Sequence, residues 1–501
     1  MENNYETSDM NQIEEVPPRE ILVKANKVGE RVHYFFIMSF IFGLLFTLCF
    51  YDFDQNYNGI VYPLFVILLF SITIIALKKL GKVIENSSYL FAAVAILLGI
   101  SSFLTMNFFV VFFNTVGIMV LYGLFIAKAI YSDLIYEPFY QLRLFLEIGF
   151  KSIGNMSLPF RHIFLYNKQK HVDMNKVSSI IKGLALSILL LIIVVPLLVS
   201  SDLIFADIVG SIIPDFSYLL TGNWLYYVIL ITASTLAFYG LLCILSEDLK
   251  TMNIKSRGKK DPLSILIMTW IVTVIYMIFC IIQIIYLIGG NFFQLPNGIT
   301  YADYARQGFL QLVIVAAINM GLVLICVNIV KEHKGLMLSL NLISGSTFIM
   351  IASATYRMIL YIHIYHFTFL RILVLWFLAV LTICMVGTVY YIYHKTFSIY
   401  KYIFYTVLIS YIIFAFGKPD YIVAKYNVNH MEEINDQDLD YLMNLSMDAT
   451  PVIADINESQ YKGRLIDDYY NAIIASYKNE IRYYNISKIT AYGIAKNRGS
   501  K

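Results

Sequence analysis

Apolar runs of roughly twenty residues, separated by short polar breaks, recur from Val32 to Phe416. That length is what an α-helix needs to cross a hydrocarbon layer of roughly 30 Å. The pattern predicts spans at Val32–Phe50, Ile60–Leu77, Val177–Val199, Trp224–Leu245, Leu263–Ile288, Gln307–Val330, Leu336–Tyr361, Phe369–Tyr393 and Ile399–Phe416. Tyr89–Ile130 is too long for one crossing, and its polar break at Thr105–Asn107 predicts a tight hairpin of two. The expected fold is therefore all-α: a polytopic transmembrane helix bundle of about eleven spans, followed by a small, mostly helical polar domain at the C-terminus. Residues 1–31 form a polar arm, 32–416 the bundle and 417–501 the polar domain. Within that last part, Asp438–Met447 reads as one short amphipathic helix and Ile466–Ala495 as one or two more.

One long connection, about 131–177, is neither a span nor a plain loop. Phe139, Leu142, Leu146 and Phe150 recur at helical spacing, with Arg143, Glu147 and Lys151 on another face. This suits a helix lying in the membrane interface or one packed on the rest of the protein. Lys-rich connections alternate with connections poor in Lys and Arg: Lys78, Lys79 and Lys82 follow the second span, whereas Tyr51–Gly59 has neither. Basic loops stay in the cytoplasm, so the N-terminus is expected inside and, after about eleven spans, the polar C-terminal domain outside. The expected location is the cytoplasmic membrane of a bacterium.

Composition sharpens the class. Of 501 residues 59% are hydrophobic and only 14% charged, with mean hydropathy +0.68. The small net charge of +3 argues against a nucleic-acid partner. The five cysteines lie in or beside apolar runs, without metal-ligand spacing, and read as small buried hydrophobes. No cofactor and no metal site is expected; His363 and His366 at i, i+3 lack a positioned acid. Walker, HExxH, GxSxG and dinucleotide-binding patterns do not occur, so no catalytic residue is assigned.

Gly289–Gly321 holds the densest candidate chemistry. Its glycines and Pro296 force a loop, after which Thr300 can cap a helix and Asp303 can complete the cap. Arg306 and Gln307 are within reach of Asp303. Asp303, Gln307 and Gln311 share a helical face with Asn319 at its edge, a face that should turn toward other helices or a wet cavity. The plainer reading is preferred for each: Asp303 as a structural cap that also pairs with Arg306, Gln311 and Asn319 as interhelical glue, and Gly308 and Gly321 as points of close helix approach. Asn107 and Asn114, seven apart on one face, read as packing glue.

Arg357 and Arg371 stand near the outer ends of two spans, among Tyr356, Tyr361 and Tyr365. A cation near hydrocarbon must snorkel, find an acid or meet water. With Arg306 at similar depth and Asp303 as counter-ion, the arginines can converge on an outward-facing anion site, since guanidinium forks suit phosphate and carboxylate. The candidate ligand-binding set is thus Arg306, Arg357, Arg371, Asp303, Tyr304, Tyr361 and Gln311. The competing reading is a salt-bridge and tyrosine network that clamps helices at the interface.

Three stretches, TYADYARQGFLQL from Thr300, SATYRMILYIHIYHFTFLR from Ser353 and KPDYIVAKYN with LDYLMNLSMDATP from Lys418 to Pro451, resemble a bacterial family of polytopic membrane proteins of unknown function. RYYNISK from Arg482 is a looser match. The resemblance runs from about the seventh span to the end. At His366–Phe367 similar proteins tend to have Gly-Leu. The resemblance implies a membrane fold and carries no activity.

Taken together, the expected function is non-enzymatic, as a transporter or as a sensor or scaffold. The alternative is a membrane-embedded enzyme acting on an envelope lipid or lipid-linked anion. Expected partners are membrane lipids, an anionic small molecule or headgroup, and a protein bound by the C-terminal tail. A deep aqueous cavity reaching Asp303 would favour transport or catalysis; a closed bundle with an ordered tail would favour sensing or scaffolding.

Overall fold

The computed structural model of the chain describes residues 27–50, 59–130, 138–169, 194, 201, 223–246, 261–288, 309–431, 436–456, 463–477 and 483–499. Ten helices among them are long and apolar enough to cross a membrane, and the described residues contain no strand. The expected span Val177–Val199 falls outside them, apart from Val194.

A short turn of helix, α1 (Lys27–Glu30), leads into α2 (Val32–Phe50) and α3 (Val61–Lys79). The anticipated hairpin follows as α4 (Asn86–Leu104) and α5 (Phe108–Ile130). Its turn works because Thr105 is extended and Asn107 caps α5, its side-chain oxygen accepting from the Val110 N–H at 2.9 Å. Next come α6 (Pro138–Gly154), a 3₁₀ turn at Asn155–Ser157, and α7 (Leu158–Gln169). Then follow α8 (Asn223–Ser246), α9 (Leu263–Ile288), α10 (Phe309–Ile329), α11 (Lys334–Tyr365), α12 (Phe369–Tyr393) and α13 (Ile399–Phe416). At 32 residues α11 is about 48 Å long. It outruns the hydrocarbon layer and must tilt or project from it.

The spans form two groups. In the first, α2, α3, α4, α5 and α8 share one core rich in phenylalanine. In the second, α10 packs between α11 and α12, and α9 lies along α11. Helix α13 joins the groups, touching α4 on one side and α12 on the other. Tyr411 fixes that joint: its hydroxyl donates to Asn114 Oδ1 (2.8 Å), and the Asn114 amide donates to Ser102 Oγ (3.0 Å). Asn114 is thus the packing residue its spacing suggested. In a membrane, where lipid tails are as apolar as leucine, such hydrogen bonds and close packing hold helices together. Helices α9 and α11 run parallel and are pinned along their length, from Ser339–Thr269 (2.9 Å) to Ser353–Gln283 (2.7 Å).

The alternating spans give the bundle two ends. At the basic end, α1 is tied to the turn after α3 by Lys27 Nζ and the Leu80 carbonyl (3.4 Å). Helices α6 and α7 lie at this end too. The two readings of that stretch combine: Ser152 Oγ donates to the Ala237 carbonyl of α8 (2.8 Å), yet Phe150 is 71% exposed beside exposed Leu146 and Ile153. Gly240 lets this contact form, because a Cβ there would strike the Ser152 backbone. His162 of α7 is buried against the Tyr239 hydroxyl at 2.8 Å, and burial pushes its imidazole pKa down.

At the other end sits the polar C-terminal part. It comprises α14 (Pro419–His430), α15 (Asp436–Met443), a 3₁₀ turn at Met447–Ala449, α16 (Thr450–Ile453), α17 (Gly463–Ser476) and α18 (Ile486–Gly499). Leu439, Leu442, Ile453, Ile466, Ile473 and Ala491 give it a core of its own. We call it the cap.

Candidate functional site

Of the candidate residues, Gln311, Arg357, Tyr361 and Arg371 are described; they fall at the cap end and do different jobs. Arg357 lies on α11 and is 8% exposed. One guanidinium nitrogen donates to Gln283 Oε1 of α9 at 3.1 Å, and Ser353 Oγ donates to the same oxygen at 2.7 Å. A side-chain amide oxygen thus receives one nitrogen of the guanidinium inside the bundle. Gln283 escaped the sequence reading because a lone glutamine in an apolar run has no partner until α11 is laid beside it.

Arg371, on the first turn of α12, reaches back over the connection from α11. It donates to the Tyr365 and His366 carbonyls, and its guanidinium lies 4.2 Å from the Tyr361 ring centroid. It therefore caps the C-terminal end of α11, where cations are favoured. The connection is strained. His366 has φ 61° and ψ −177°, a region natural to glycine. Asn427 of α14 clamps the next residue from both sides: Phe367 N–H donates to its Oδ1 (2.8 Å), and its amide donates to the Phe367 carbonyl (3.0 Å).

Tyr361 lies one helical turn beyond Arg357 on α11 and carries Arg371 of α12 over its ring, whereas Arg357 bonds to α9. Asp303, Tyr304 and Arg306, with Thr300, the expected cap of their helix, lie outside the described residues. Gln311 departs from expectation: it is exposed, whereas Asn319 on the same helix is buried and bonded to Tyr276 and Thr347. Gln311 stands in the first turn of α10, where a polar side chain can reach headgroups or water. Gly321 also differs, since nothing lies within 4 Å of where its Cβ would be.

A second cluster forms the seam between cap and bundle; its cap residues lie in the resemblance stretches that begin at Lys418 and Arg482, but the sequence reading assigns them no candidate chemistry. Its centre is Asp448, 3% exposed. Its carboxylate accepts from Thr105 of the hairpin and from Ser487 of α18, and from Ser446 at 3.3 Å. Burial pushes its pKa above the usual carboxylate range, while the Ser487 and Thr105 hydroxyls and the Lys418 charge pull the other way. Lys418 Nζ is 3.3 Å from Ser487 Oγ. Asp420 accepts from the Ser446 N–H (3.1 Å).

Asn485 is the other anchor, 1% exposed. Its amide donates to the Ser102 and Thr105 carbonyls (3.2 and 3.1 Å), carbonyls that the end of α4 leaves without helical partners. Its oxygen caps α18 through the Ser487 N–H (3.0 Å). These residues come from positions more than 300 apart in the chain, and periodicity within a helix carries no trace of that pairing.

Ser487, Lys418 and Asp448 have the residue types of an activated nucleophile. Their geometry is that of a lock: Ser487 is 3% exposed and its hydroxyl is also within 2.9 Å of the Leu104 carbonyl. Among the described residues no group of three or more His, Cys, Asp or Glu side chains could hold a metal ion.

Comparison with curated proteins and with solved structures finds no match. A family model does match residues 92–456, from within the third span to just past α16, and so includes Asp448, Arg357 and Arg371. The chain is an integral membrane protein belonging to the family described as a domain of unknown function, DUF4153.

Proposed function

We propose that the protein is a non-enzymatic sensor or scaffold of the bacterial cytoplasmic membrane, with its N-terminus inside and its cap outside. The observation that carries this reading is the double anchoring of the cap. Asp448 and Asn485 tie it to the hairpin of the first helix group, and Asn427 ties it to the connection between α11 and α12 of the second. A small folded unit bonded to both groups transmits any shift between them to its outer surface, and carries a shift from a bound partner inward. Its exposed Ile474, Ile486 and Ile489 are among the apolar positions from which a protein partner would gain area.

The anion-site reading is less favoured, because Arg371 is engaged by backbone carbonyls and a tyrosine ring, and Arg357 by Gln283. The test is a photo-reactive amino acid placed singly at Ile474, Ile486 and Ile489 in cells. One discrete protein adduct, weakened by Asn485→Asp, is expected. No adduct, together with uptake of labelled anions by liposomes carrying the purified protein, would replace this reading by transport. Alkaline phosphatase fused at the C-terminus should be active; an inactive fusion would reverse the orientation.

A further inference from the structure

Between the two helix groups runs an apolar groove of about 480 Å³, within the range of small-ligand sites. Helix α13 forms one wall with Ile403, Phe404 and Val407, α5 another with Val120 and Leu124, and α10 contributes Leu324. Tyr411, held by Asn114, closes it toward the cap. Tyr400 marks its other limit, at the basic end. Val407 is 40% exposed, so the groove opens sideways to whatever surrounds the helices.

Three observations choose the occupant. The first is location: the walls are membrane-spanning helices, so the surrounding medium is hydrocarbon. The second is length. From Tyr400 to Tyr411 is about 16 Å along α13, which matches one leaflet of a layer roughly 30 Å thick. The third is the rim. At the basic end Asn328 donates to the Tyr400 hydroxyl (2.8 Å) and accepts from Tyr391 (2.7 Å), and exposed Lys401 follows Tyr400. Glu85, an acid within electrostatic reach of Lys401, pairs with Lys128 at 3.1 Å, one turn beyond Leu124, so that two cations face one carboxylate there. Hydroxyl, amide and ammonium groups around an apolar slot complement an anionic headgroup above an acyl chain.

We propose that this groove is a binding site for one acyl chain of an anionic glycerophospholipid from the leaflet at the basic end. The site goes beyond the sensor reading and stands without it. A chain seated there wedges between the two groups that the cap bridges, so its presence sets their separation.

The test uses the full-length protein in phosphatidylcholine vesicles containing phosphatidylglycerol with a photoactivatable acyl chain. Labelled residues are mapped by mass spectrometry. Ile403, Phe404 and Leu124 should be labelled at least several-fold more than Ile271 and Ile278, exposed positions on α9 that report ordinary surrounding lipid. Moving the reactive chain to phosphatidylcholine, or Lys401→Glu, should remove most of that preference. Val407→Trp should block the groove and leave labelling at α9 unchanged. Equal labelling of groove and α9 from both lipids overturns the proposal, whether or not the variants fold, because it is read on the wild-type protein. Adducts between two copies of the chain at the groove would also overturn it, replacing the lipid with a second subunit.

Discussion

Asn485 offers the sharpest test of how the cap is held. Replacement by alanine deletes the cap of α18, a loss of about 1 kcal/mol. It also removes two hydrogen bonds to the C-terminal end of α4, each worth about 1 kcal/mol net, and leaves two buried carbonyls with fewer donors. The expected loss in cap docking is therefore about 3 kcal/mol, or a rise of about 150-fold in the population of the open form. Asn485→Asp separates the two parts. A carboxylate still caps α18 and suits its positive end, but it cannot donate to the Ser102 and Thr105 carbonyls. Its expected cost is about 2 kcal/mol, close to 30-fold. The assay is amide hydrogen exchange of α18 and α14 in nanodiscs, with α11 as an internal reference. If Asn485→Asp exchanges within about threefold of wild type while Asn485→Ala does not, the carbonyl bonds contribute nothing and only the helix cap matters. The seam would then not be what fastens the cap.

Three further outcomes are expected. His366→Gly should relieve the positive-φ strain between α11 and α12 and raise thermal stability, by about 1–3 kcal/mol; an unchanged or lower melting temperature would show that Arg371 and Asn427 already absorb it. Gln283→Leu should cost about 2 kcal/mol because it takes an acceptor from a buried guanidinium, and Arg357→Met in the same chain should restore part of that loss; additive losses in the double mutant would deny the coupling. Asp448 binds a proton more readily in the folded seam than when exposed, so acidification should tighten the cap as pH falls through its raised pKa toward the ordinary value near ~3.9. Hydrogen exchange of α18 across that range reads the effect, which Asp448→Asn should flatten; cap docking that weakens over the same range would contradict the assignment.

Much of this molecule is written in the period and length of its apolar runs. Those runs predicted the all-α bundle, the hairpin with its break at Thr105–Asn107 and the helical C-terminal part, because a hydrocarbon layer dictates helix length locally. That Arg357 and Arg371 need partners was legible for a related reason: a cation in an apolar run must be accounted for wherever it lies. What only the tertiary structure decided is pairing. Gln283 meets Arg357, Thr105 meets Asp448 and Ser102 meets Asn485 across 74, 343 and 383 positions. No local pattern encodes such distances. The same holds for the groove, whose walls are ordinary lipid-like side chains. Leucine, isoleucine and valine look alike whether they face lipid or another helix, since neither neighbour requires a polar group to announce it.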